Sequence, residues 1–301
     1  MMLASSIVRS HKKTAIVGLP CHIHSYRKLE SAQEKLTQYV PLLIGLACHS
    51  TLEYNATTKL LQLARLNPEK ISKLEYRGGD QWPGGVQATL RDGTIKKLHD
   101  LNIKYAFNRL AWFYTPNRCL TCIDHTAEFS DISVMDPWIR DKKGQYPYAQ
   151  KYSLVLARTD RALDILNQAA ADGDIVLEDI PASLLKDHFK LMVKKKKVGA
   201  SIRIEKLKRQ NKPYPRYNLR FPRASLMNRV QAQFSTLMRM VGRWHWIRTY
   251  GMRLCFSSPG NKLMVLKSRI GNIKRKLFHY NILTAKTSQT KYHRKNRVSE
   301  Y

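Results

Sequence analysis

The chain has 301 residues, 43% of them hydrophobic and 25% charged, with a net charge of +31, an ordinary folded composition with room for one large core or two domains. No apolar run reaches the ~18 residues a membrane-spanning helix needs. The short apolar start, Met1 to Val8, is followed rather than preceded by its charges (Arg9, Lys12, Lys13), which excludes a secretory signal. A cytoplasmic protein with reduced thiols is expected. In chain order, residues 14–21 read as a buried strand and 23–37 as the helix after it; 40–48 form a second buried strand, followed by a helix over about 54–66. Continuous apolar strands alternating with amphipathic helices predict a parallel sheet covered on both faces. From Lys73 the pattern changes to short strands (Leu74–Arg77, Val86–Leu90, Thr94–Leu98) punctuated by Gly78, Gly79, Gly84, Gly85 and Gly93. That predicts a small antiparallel insertion. A helix over 103–113, strands at 132–134 and 153–157, a helix capped by Thr159 and Asp160, and a last strand at 175–178 complete this part.

The charge is unevenly spread. From Lys186 onward there are 30 Lys and Arg against 3 Asp and Glu; the residues before it hold 23 against 19. This composition boundary predicts an α/β domain over 1–185, a basic helical extension over 186–285 and a disordered basic tail over 286–301. One helix runs from Leu184 to about Lys197. A second carries the apolar stripe Leu226, Val230, Phe234, Leu237, Met238, Val241 and Trp244, and a third carries Leu263, Leu266, Ile270, Ile273 and Leu277. Lys194, Lys195, Lys196, Lys197, Arg239, Arg243 and Arg248 are the expected contacts to a polyanion, most simply an anionic membrane face. Nucleic acid ranks behind it, because no zinc-finger, helix-turn-helix or aromatic ribonucleoprotein pattern is visible.

The cysteines are the most telling residues. Cys21 and Cys48 each close an apolar run, and Cys119-Leu-Thr-Cys122 lies before the strand at 132–134. Strand ends in an open α/β sheet converge on one edge, so two lone thiols and a close pair can meet there. Four thiolates hold a 4Fe–4S cluster. The same pattern also fits a redox dithiol, half of a zinc site, or cysteines that merely pack. Cys255 stands apart and reads as structural.

Several motifs in this order are similar to those of one family. They are Val17-Gly-Leu-Pro-Cys21-His, Gly45-Leu-Ala-Cys48-His, Tyr76-Arg-Gly with Trp82-Pro-Gly-Gly85, Arg118-Cys119-Leu-Thr-Cys122-Ile-Asp124, and Ile132-Ser-Val134-Met-Asp136-Pro-Trp138. Together with Ser153-Leu-Val-Leu-Ala-Arg158 they resemble the C-terminal domain of the coenzyme F-420 hydrogenase/dehydrogenase beta subunit, over about residues 10–200. The resemblance implies an iron–sulfur, flavin-linked oxidoreductase that passes electrons among FAD, one 4Fe–4S cluster and deazaflavin coenzyme F-420 or another acceptor. It implies Cys21, Cys48, Cys119 and Cys122 as cluster ligands. Arg77, Gly78, Trp82, Gly84 and Asp136 are the candidate cofactor-binding set, since glycine admits close backbone approach and Arg grips phosphate bidentately; the bland alternative is a turn-rich hairpin. Asp124 and Asp131 are expected to fix turns, and His22 and His49 to act as hydrogen-bonders rather than catalysts.

The chain departs from the family pattern in three respects. Family members usually carry a glycine-rich domain before the stretch that resembles this chain; a separately encoded domain or a redox partner protein is therefore expected, and flavin is expected to bind weakly to this chain by itself. Met135 stands where glycine is common, and His22 where glutamine is commoner. Two rival readings belong to other classes: an accessory protein of envelope-polysaccharide biosynthesis on the membrane surface, and a zinc-stabilised polyanion-binding protein.

Overall fold

The computed structural model describes residues 12–80, 82–139, 145–148, 152–260, 262 and 266, with the backbone but not the side chains of 99–105, 182–184, 186–192, 194 and 195. Strand β1 (Ala15–Gly18) leads into helix α1 (Pro20–Ala32), a one-turn helix α2 (Leu36–Tyr39) and β2 (Leu42–Leu46). Pro20 occupies the first helical position, where its missing N–H costs nothing. The expected single helix over 23–37 is therefore two, broken at Gln33. β1 and β2 pair in parallel with Ile16 opposite Leu43. Ile16, Leu43, Ile23, Tyr26, Leu36 and Val40 form one buried cluster under α1. Burying each large aliphatic side chain contributes about 1.5–3 kcal/mol. The expectation that both faces are covered fails at this edge: Val17, on the opposite face of β1, is 60% exposed.

After β2 come α3 (Asn55–Leu63) and the three strands β3 (Ile71–Gly78), β4 (Gly85–Leu90) and β5 (Ile95–Asn102), an antiparallel sheet of its own. α4 (Ile103–Tyr114) packs on that sheet, and α5 (Asn117–Leu120) is a single turn. The chain then returns to the first sheet as β6 (Ile132–Met135), parallel to β2, and β7 (Leu154–Ala157), antiparallel to β6. The strand order is β1-β2-β6-β7. α6 (Asp160–Ala171) starts at Thr159, whose hydroxyl accepts from the Ala162 N–H at 3.2 Å, the anticipated cap. The strand expected at 175–178 does not form. Ile175-Val-Leu has the composition of a strand but no ladder partner, and Val176 is 96% exposed.

The basic region is longer in helix than its sequence suggests. α7 (Ala182–Arg209) crosses the composition boundary and continues 12 residues past Lys197. It continues because Val198, Ala200, Ile202 and Ile204 are buried along it. Ala200 and Ile204 pack with Ile123 and the half-buried Tyr214, Tyr217 and Phe221. Val198 and Ile202 pack with Ala232 of α8 (Leu226–Val241). The contacts divide the chain into two units, 1–245 and 246–301. α9 (His245–Phe256) lies mostly in the second; the single helix expected to carry both the Leu226–Trp244 stripe and Arg248 is therefore two, the first ending at Val241. The helix expected around Leu263–Leu277 and the tail over 286–301 lie outside the described residues, Lys262 and Leu266 excepted.

Candidate metal centre and its surroundings

Parallel pairing of β1 and β2 brings their C-terminal ends to one edge, and with them two of the cysteines. Cys21 lies in the first turn of α1, and Cys48 two residues past β2. Cys119 is in α5, with Cys122 just after it. All four are half-buried thiols without a disulfide. Burial pushes the Cys48 thiol up to about 11; Lys196 pulls it back, and Cys119, Cys122 and Cys21 each push it further. Residues far apart in sequence are thus electrostatic neighbours. Tyr217, pushed up to about 12 by burial, also feels Cys122 and Cys21. Among the described residues no group of three or more His, Cys, Asp or Glu is drawn close enough to hold a single metal ion as it stands; a zinc ion needs its sulfurs at about 2.3 Å. Cys21, Cys119 and Cys122 each act on Cys48, and thiolates are the soft, anionic ligands that an iron–sulfur group takes.

The loop between Cys122 and β6 is fixed from within. Asp124 is buried and accepts from the N–H groups of Thr126 (3.1 Å) and Glu128 (2.9 Å). The Cys122 thiol donates to the Asp124 carbonyl at 3.4 Å. Asp131 accepts from the Leu43 N–H (2.7 Å) and from Arg27 (3.0 Å), locking β6 to β2 and α1. Both aspartates therefore do the turn and strand-end work expected of them. Arg158 donates to Ser133 Oγ, Thr126 O and Thr126 Oγ1 at 3.0–3.1 Å. Gly45 is where this loop crosses β2: a Cβ there would fall within 2.7 Å of Ser130 Oγ and nearer still to the Ala127 methyl.

The sequence reading missed the groups that grip the cysteine backbone. The Cys48 N–H donates to His125 O at 2.9 Å, and Cys48 O accepts from Lys196 Nζ at 2.7 Å. Arg203 donates to Leu120 O at 3.2 Å and Tyr217 to Thr121 O at 3.3 Å, the two residues between Cys119 and Cys122. Lys197 pairs with Glu128 at 2.9 Å. Burial lowers the pKa of His125 to about 4 and, less far, that of His49, with Lys196 adding to both shifts; the two rings lie 6.0 Å apart. His22 is exposed and its Nδ1 accepts from the Leu19 N–H at 3.4 Å, a helix-start role.

Of the second predicted set, Arg77, Gly84 and Asp136 lie together. Arg77 donates to both oxygens of Asp136 at 2.9 Å and to Pro83 O at 3.2 Å. Gly84, at φ 77°, passes the Arg77 backbone so closely that a Cβ would meet it at 2.7 Å. Gly78 is buried beside the Gln87 side chain. Trp82 packs on Trp138 (4.2 Å) and Tyr146 (5.0 Å). The result is an aromatic corner beside an ion pair, in which the Arg77 fork is already engaged by a carboxylate. Met135 ends β6, paired with Leu154.

The expected polyanion contacts are dispersed. Lys196 and Lys197 turn to the cysteine loop, as described. Arg239 lies 5.7 Å over the Trp112 ring, and Arg243 donates to Thr115 O at 3.0 Å. Arg248 is in the second unit, and the side chains of Lys194 and Lys195 lie outside the described residues.

Comparison with known proteins adds the family. The chain is 28% identical over 126 residues to one of the subunits (the one designated F) of the F(420)H(2) dehydrogenase of Methanosarcina mazei, covering 41% of this chain and 32% of that protein. It is 25% identical over 183 residues to the coenzyme F420-dependent sulfite reductase of Methanocaldococcus jannaschii, covering 56% of this chain and 26% of that one. The chain thus spans about a third or less of these two relatives. A chain of the F420-reducing NiFe hydrogenase complex from Methanosarcina barkeri matches with a TM-score of 0.47 at 21% identity, over 71% of this chain and 66% of its own. The family model for the C terminus of the coenzyme F420 hydrogenase/dehydrogenase beta subunit matches residues 11–183. That stretch is more than half of the chain and contains all four site cysteines, and the protein belongs to this family.

Proposed function

We propose that this chain is an electron-transfer component of an F420-type oxidoreductase, in which Cys21, Cys48, Cys119 and Cys122 hold one 4Fe–4S cluster. What supports the reading is that thiols from three separate segments act on one another: Cys21, Cys119 and Cys122 each push up the Cys48 thiol. A cluster there would supply one-electron chemistry; the protein supplies orientation and electrostatics. His125, Lys196, Arg203 and Tyr217 hold the backbone on which the thiols stand. Trp82, Trp138 and Tyr146 offer flat apolar surface for a flavin or deazaflavin ring, with Arg77 and Asp136 ordering the Gly78–Gly84 turn beneath it. The names of the relatives support coenzyme F420 as one redox partner and a multi-subunit setting for the chain.

The test is anaerobic purification followed by iron, acid-labile sulfide and flavin assays. Replacing any one of the four cysteines with Ala should lower bound iron and weaken folding, because metal binding is coupled to structure. Cys255→Ala should do neither. Full iron retention after Cys119→Ala and Cys122→Ala would sink the assignment.

A second reading concerns location. One row of α8 is exposed and apolar: Leu226, Val230, Phe234 and Leu237 are each more than half exposed. No helix among the described residues is long and apolar enough to cross a membrane. Such a row beside a strongly basic chain suits the interfacial plane of an anionic bilayer.

A further inference from the structure

We propose that Lys196, Arg203 and Arg239 form a positive shell over the four-cysteine site and raise the reduction potential of the iron–sulfur group held there; the inference rests on the four-thiolate reading above. α8 carries its polarity the wrong way round for a surface helix. Its apolar row faces solvent, while Ala232, Ser235 and Thr236 face α7, with Ser235 and Thr236 accepting from Arg203 at 2.9 and 3.1 Å. Arg239 follows on the same helix. Its Nε is buried without a hydrogen-bond partner, and its charge interacts with the Cys119 thiol. Arg203 donates to Leu120 O at 3.2 Å, between Cys119 and Cys122; the Arg239 charge lowers the pKa of Arg203, and no carboxylate is among the groups acting on either. Lys196 reaches the site through Cys48 O at 2.7 Å.

Desolvating two neighbouring guanidinium groups is unfavourable unless an anion lies close. The described residues supply no carboxylate for that role; the cysteines do when they ligate. Four thiolates carry more negative charge than an iron–sulfide core carries positive, and reduction adds one more negative charge. Nearby cations therefore stabilise the reduced state more than the oxidised one, and net charge is one of the factors that set such potentials.

Full-length protein is purified anaerobically as wild type, Arg239→Gln, Arg239→Lys and Arg203→Gln, assayed for iron and sulfide, and titrated spectroelectrochemically. The Gln variants should shift the midpoint potential to more negative values, and Arg239→Lys should stay near wild type. Thermal melting adds a readout that needs no cluster. Metal-free Arg239→Gln should melt at or above the wild-type temperature, because a repulsion is removed, and that gain should vanish in the iron-loaded protein. Arg203→Gln also loses three hydrogen bonds and can misfold; Arg239→Gln has no Nε bond to lose and carries the test by itself. An unchanged potential in iron-replete Arg239→Gln overturns the proposal and leaves the cluster assignment standing. Wild type without iron or sulfide overturns both.

Discussion

Gly45 shows how one residue sets the site. It sits in β2, opposite Ser133 of β6, where the loop from Cys122 folds back over the strand. The nearest group to a Cβ there would be the methyl of Ala127, a residue held at φ 54° and buried. That methyl is fixed to the backbone and cannot swing aside. Gly45→Ala should destabilise the fold by about 1–3 kcal/mol, the usual cost of overpacking, seen as a lower urea midpoint. The same change should reduce iron incorporation, because Ser130 and Ala127 belong to the loop that carries Cys122. Asp124 and Asp131 act on the same scale: their carboxylates fix the backbone after Cys122 and the start of β2.

At the scale of elements, α7 joins the basic region to the cysteine loop. Its buried face packs on Ile123, the residue after Cys122, through Ala200 and Ile204. Its polar groups grip Cys48 and the Cys119–Cys122 turn. Ile204→Ala should cost about 2–4 kcal/mol by leaving a cavity, measured by chemical denaturation, and should also lower bound iron. A variant destabilised to that extent with undiminished iron would mean that α7 supports the fold but not the cysteine loop. The sequence suggested a helix ending near Lys197, since four consecutive lysines read as a solvated end. It continues because the next residues with an apolar face, Val198 to Ile204, find a core to enter.

For the whole molecule, the excess of basic residues divides between two uses. Lys196 and Lys197 turn inward to the cysteine loop; under the proposed location the rest would meet an anionic surface. Binding to anionic liposomes should therefore be measurable at low salt by co-sedimentation, at about 1 kcal/mol for each Lys or Arg near the surface. It should weaken as the Debye length contracts to about 3 Å at 1 M salt. Phe234→Glu with Leu237→Glu, in the exposed row of α8, should reduce it severalfold while leaving the melting temperature nearly unchanged. Retention of RNA or DNA with no liposome binding would favour the nucleic-acid alternative. The sequence by itself determined the alternation of β1, α1, β2 and α3 and the antiparallel insertion, because strand and helix periods are local. It misjudged Ile175–Glu178, where local propensity lacked a partner strand. Only the tertiary structure decided that α8 turns its apolar row outward and that Lys196, Arg203 and Arg239 turn in. A charged side chain's direction depends on the distant groups that can repay its desolvation, and those groups are set by packing rather than by neighbours in the chain.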